Sequence, residues 1–77
     1  MAYDYSKLEG RIIEKFGTRE SFAKESGITA KSIYDKLNNK TIWKQPEISK
    51  AMDLLSIPGE DIELYFFKKK DHNTEQE

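Results

Sequence analysis

The chain has 77 residues, 36% of them hydrophobic and 35% charged, with a formal net charge of −1. That length holds one small domain and not two, with a modest core and marginal stability. Cysteine is absent and the single histidine, His72, stands in a polar tail, so a disulfide framework, a thiolate metal site and most histidine chemistry are excluded. No apolar run approaches the roughly 20 residues of a membrane span, and Met1 to Glu14 lack the apolar stretch of a signal peptide. A cytoplasmic, non-enzymatic domain without cofactor, metal or small-molecule substrate is the expectation.

The apolar residues recur at helical spacing. Tyr5, Leu8, Ile12 and Phe16 fall three or four apart and predict a first helix. Ser6 with Glu9, or else Asp4, caps its start, and Gly17 ends it. Thr18 opens a short second helix, Arg19 to Ser26, with Phe22 and Ala23 facing inward and Gly27 closing it. Thr29 caps a third helix of about residues 30–38, in which Ile33 and Leu37 face the core and Asn38-Asn39 forms the stop. Lys40 to Gln45 is a loop carrying Trp43. Pro46 and Glu47 suit the first turn of a fourth helix, whose inner residues are Ile48, Ala51, Met52 and Leu55. Ser56, Pro58 and Gly59 break that helix, and Ile62, Tyr65 and Phe66 suggest a short fifth. Valine is absent and long alternation is missing, so a sheet is not expected. The domain is taken as residues 1–67, with 68–77 as a polar, disordered tail.

Function is concentrated between Arg19 and Asn38. Two short helices joined by a tight turn cross steeply, which calls for a small residue at the crossing, a glycine in the turn and an apolar plug after it. Ala23, Gly27 and Ile28 stand at those places, and together they form a helix-turn-helix pattern. Residues 29–50 carry five lysines against Asp35 and Glu47, a local net of +3, whereas residues 59–77 sum to −3. Such segregation is what a protein with one anion-facing edge would show, although a charge run is more often just a solvated face.

The run from Phe16 to Lys40, FGTRESFAKESGITAKSIYDKLNNK, resembles phage Cro proteins and the wider Cro/C1-type repressors. The resemblance extends over about residues 5–67, through the fourth-helix segment ISKAMDLLSIP. It implies an all-α, compact five-helix, lambda-repressor-like DNA-binding domain with the helix-turn-helix at helices two and three. Two departures stand out: the overall acidity, and Asp35 on the side that would face DNA.

In a DNA-binding reading the third helix enters the major groove of a double-stranded operator. Thr29, Ala30, Lys31, Ser32, Tyr34 and Asp35 are then the base-reading candidates. Lys31 suits guanine O6 and N7 and Ala30 a thymine methyl, while Asp35 could accept from a cytosine amino group or pair with Lys31 or Lys36. Thr18, Arg19 and Ser21 at the start of helix two, with Asn38, Asn39, Lys40, Thr41 and Lys44 beyond helix three, are the phosphate candidates. A symmetric dimer would set two half-sites about 34 Å apart. Trp43 reads as core cover, and Phe67 as a contact with another subunit. Tyr3 and Tyr5 read as packing on helix one, and Lys68 to Lys70 as solvated tail. The alternative is a protein-interaction module, an antirepressor that keeps the fold but binds a partner repressor. It is supported by the acidic balance, Asp35 and the aromatic residues near the C-terminus.

Overall fold

The computed structural model describes residues 2–70. His72 and the rest of the tail expected beyond Lys70 lie outside the described residues. Five α-helices follow in order: α1 (Ser6–Phe16), α2 (Arg19–Ser26), α3 (Ala30–Leu37), α4 (Gln45–Leu55) and α5 (Ile62–Phe66), the last entered through a 3-10 turn at Gly59–Asp61. The all-α, five-helix fold class expected from periodicity is the one observed. No helix among the described residues is long and apolar enough to cross a membrane.

The stripe of α1 packs as its spacing predicts: Tyr5, Leu8 and Ile12 are buried. Phe16 is only half-buried and lies edge-on to Phe22, with ring centroids 5.5 Å apart. Phe22, Ile33, Leu55 and Phe66 close the core around these side chains. Removing these side chains from water is the dominant stabilising term in a domain this small, while Ile13, Tyr34 and Leu64 stay exposed on the outer helix faces. Arg11 ties α1 to the end of α4, where its Nε donates to the Leu55 carbonyl at 2.9 Å. That carbonyl lacks an intrahelical donor, so the arginine acts as a cap supplied by another helix.

Of the two caps expected at the start of α1, the second is the one formed, and α4 starts one residue earlier than expected. The Ser6–Glu9 capping box is not formed. Instead Asp4 Oδ1 accepts from the Ser6 backbone N–H at 2.9 Å and the Ser6 hydroxyl at 2.7 Å. These bonds hold the Asp4 carboxyl below its ordinary range, with the backbone N–H the larger cause. At α4 the helix begins at Gln45, and Glu47 reaches back to accept from the Lys44 backbone N–H at 2.8 Å.

The two termini of the described chain meet. Tyr3 and Lys69 form an isolated antiparallel bridge, the Asp4 N–H donates to the Lys68 carbonyl and the Lys70 N–H to the Ala2 carbonyl. Lys68 to Lys70, expected in the tail, are thus held against residues 2–4. Backbone donors on both segments find partners there, which side-chain periodicity does not encode.

Candidate functional site

The α2–turn–α3 unit forms as the sequence dictates. Gly27 takes the left-handed conformation, with φ +79°, a region that costs an L-residue about 1–2 kcal/mol. Ala23 is buried at the crossing, and Ile28 packs against the core just after the turn. Ser26 is buried as well; its hydroxyl donates to the Ala23 carbonyl at 3.0 Å and accepts from the Ile28 N–H at 3.3 Å. The turn is therefore fixed by a hydroxyl that the sequence pattern did not single out.

Several polar residues expected to meet DNA are engaged within the chain. Thr18 caps α2 by accepting from the Ser21 N–H at 3.1 Å, and its hydroxyl donates to the Ser21 hydroxyl. Thr29 caps α3 by accepting from the Ser32 N–H at 3.1 Å. Arg19 donates to Glu9 at 2.8 Å, with its guanidinium 5.9 Å from the Tyr34 ring centroid. Lys31 pairs with Asp35 at 3.2 Å, one helical turn on. Asn38 donates its side-chain amide to the Tyr34 carbonyl at 2.8 Å, closing the end of α3.

Asn39 has the most specific arrangement. In the left-handed region at φ +65°, it accepts from the Tyr3 N–H at 3.0 Å and donates to the Tyr3 carbonyl at 2.9 Å. Its amide thus mimics a neighbouring strand and pins the N-terminal segment. Ala30 and Ser32 are half-buried, while Tyr34 stands 49% exposed beside Lys31. Arg19, Lys31, Tyr34 and Asp35 are thus brought together on one face. Lys40, Thr41 and Lys44 instead extend from the loop between α3 and α4 and are exposed.

That loop is anchored by a residue not anticipated as a site. Lys36 is only 5% exposed, and its ammonium donates to the Ile42 carbonyl at 3.1 Å and pairs with Glu47 at 3.2 Å. Burial pushes the Glu47 carboxyl up, but the Lys44 N–H and the Lys36 ammonium together outweigh it and leave it below the ordinary range. A lysine so placed reads in sequence as one more surface cation. Only its position one residue before Leu37, on the inner side of α3, hints otherwise.

Beside the loop lies a cavity of about 270 Å³ walled by Tyr3, Tyr5, Ile42, Trp43, Phe66 and Phe67, among others. Trp43 is buried, as expected for core cover, and meets Phe66 edge-on at 5.2 Å. Its indole N–H has no acceptor among the described residues. Ile42 is 77% exposed and Phe67 43%. Tyr3 stands edge-on to Phe67 at 6.0 Å, so it packs on the far end of the chain as well as near helix one.

The chain belongs to the DUF739 family, described as proteins of unknown function, which it matches over residues 1–69. It is also similar to the solution structure of the modulator of repression (MOR) of the temperate bacteriophage TP901-1 from Lactococcus lactis. The two are 46% identical and superpose with a TM-score of 0.75, over 87% of this chain and 90% of that one. No curated protein matches the chain. The family shown is thus DUF739.

Proposed function

We propose that this protein is a phage regulatory module that binds a partner repressor and modulates its action, rather than an operator-binding repressor in its own right. The observation that carries this reading is the state of the cations on the α2–α3 face. Arg19 is held by Glu9 and Lys31 by Asp35, so the face offers DNA paired charges instead of free ones. DNA affinity rests largely on cations that replace condensed counterions at phosphates. Each pair would have to be broken, and its carboxylate then left near the phosphate backbone. The likeness to a phage modulator of repression supports the same conclusion.

The docking surface in this reading includes the aromatic cavity, because an exposed isoleucine and phenylalanine beside a concave aromatic wall suit a protein anchor. The protein would act where phage repressors act, in the cytoplasm of the host cell. Direct operator binding remains the second reading, favoured by the open first turn of α3, where the Lys31 side chain is 82% exposed. In that reading Thr29, Ala30, Lys31, Ser32, Tyr34 and Asp35 read bases in a homodimer, and Thr18, Arg19, Ser21, Asn38, Asn39, Lys40 and Lys44 hold phosphates.

The test mixes the purified protein with the repressor encoded in the same phage region and with DNA from between their promoters. The expected result is a protein–protein complex that alters repressor occupancy, with no shift of DNA by this protein alone at low salt. A salt-sensitive footprint of two symmetric half-sites, obtained without the repressor, overturns the proposal in favour of direct binding.

A further inference from the structure

No charged residue lines the cavity itself, but three lysines adjoin the stretches that do, and their sign specifies the partner. In the antiparallel bridge Tyr3 and Lys69 face each other, and directly paired residues project to the same side. Tyr3 lines the cavity, so Lys69 projects to the cavity side of the bridge. Lys40 and Lys44 flank the Thr41–Trp43 stretch that forms another wall. All three lysines are exposed, and none has an ion-pair partner among the described residues. Neighbouring carboxylates are already committed: Asp4 to Ser6, Asp35 to Lys31, and Glu47 to Lys36 and the Lys44 N–H. The chain as a whole is nevertheless acidic, which makes this cationic rim a local feature.

We infer that the cavity takes one bulky apolar side chain from an acidic segment of a partner protein, with aspartates or glutamates on either side of the anchor meeting Lys40, Lys44 and Lys69. This rests on the reading of the chain as a protein-interaction module and names the chemistry its partner must present. The volume suits one large side chain and not a whole helix. Duplex DNA offers the rim its phosphates but nothing apolar enough for Ile42 and Phe67, so a protein segment satisfies both halves of the site.

Trp43 is the sole tryptophan, so intrinsic fluorescence reports on the cavity directly. The probes are three short synthetic peptides: a central phenylalanine between glutamates, the same phenylalanine between lysines, and an alanine between glutamates. The acidic phenylalanine peptide is expected to shift Trp43 emission saturably and to bind about tenfold tighter than the lysine-flanked one, the summed effect of three rim charges. The alanine peptide should not bind. The Lys40→Glu/Lys69→Glu variant should reverse the preference, with its far-UV circular dichroism unchanged. Equal or tighter binding of the lysine-flanked peptide overturns the inference, as does the absence of any shift at millimolar peptide. A shift produced by a short DNA duplex instead reassigns the rim to phosphate.

The two proposals fail separately. If the repressor binds but the double variant binds it equally well, this inference falls and the module reading stands. If the acidic peptide binds but the repressor does not, the module reading falls as to its partner while the cavity chemistry holds.

Discussion

Replacing Lys36 with methionine isolates the strut that holds the loop between α3 and α4. Methionine keeps most of the buried stem and removes only the ammonium, so packing is nearly conserved. Lost are the hydrogen bond to the Ile42 carbonyl and the pair with Glu47. Hydrogen bonds to a charged group contribute about 1.5–3 kcal/mol each. Glu47, however, keeps the Lys44 N–H as a donor and is partly open to water, so its desolvation is not stranded. A loss of about 2 kcal/mol is expected, which in a domain of this size lowers Tm by roughly 8–16 °C. The opposite deletion, Glu47→Gln, leaves a buried ammonium without a counterion and should cost more, about 3 kcal/mol. The assay is thermal and urea unfolding of both single variants and the Lys36→Met/Glu47→Gln double. The double should be more stable than the sum of the singles by about 1 kcal/mol or more, because removing both partners strands neither. Additive losses, or a Lys36→Met variant that melts within about 3 °C of wild type, would refute the strut.

Two further outcomes follow from local geometry. Gly27→Ala should cost about 1 kcal/mol, seen as a Tm drop of roughly 4–8 °C, because the left-handed conformation is strained for alanine. An added Cβ meets nothing within 4 Å, so Gly27→Asn should recover part of the loss, and a larger loss in asparagine than in alanine counts against a conformational cause. Acid should weaken the domain through Glu47. Its folded value lies below the ordinary 4.5, so the stabilisation is complete above that value and is lost as pH falls through the folded one. Urea midpoints should be flat at neutral pH and decline in acid, with a shallower decline in Glu47→Gln.

How much of this was legible in the sequence depends on which interactions are periodic. Stripes such as Tyr5–Leu8–Ile12 mix spacings of three and four, which share one face of a helix but not of a strand, so the five elements and most of the core could be read directly. Gly27 and Ala23 were equally legible, since a tight turn demands those residue types at those positions. The cavity was not, because its walls come from three separated stretches around Tyr3, Trp43 and Phe67, which only the tertiary fold brings together. Asn39 illustrates the gap. As a helix stop it is recognisable from type alone, yet its clasp on Tyr3 spans 36 positions, beyond any local rule. Lys36 failed for a different reason: a buried lysine contradicts the prior that lysines face water, and its justification is a carbonyl and a carboxylate supplied by later residues.

The sharpest test of the functional reading is to undo the charge pairing on the α2–α3 face. Glu9→Gln frees Arg19 and Asp35→Asn frees Lys31, each with little change of shape. Asp35 is the more sheltered of the two acids and Lys31 the more open base, so the asparagine variant should expose a mobile cation at the start of α3. If the pairing is what withholds this face from DNA, the double variant gains non-specific affinity for a duplex. Its logarithmic salt dependence should then steepen by about two, one for each cation able to replace a counterion. Binding to the repressor should meanwhile weaken if the face takes part in that contact, and stay constant if the cavity alone does. Wild-type protein that already binds duplex DNA with the steeper slope would mean that both pairs open on contact with phosphate. The carboxylates would then be a modest hindrance to DNA binding and not a barrier to it, and the case for a protein partner would rest on the apolar cavity alone.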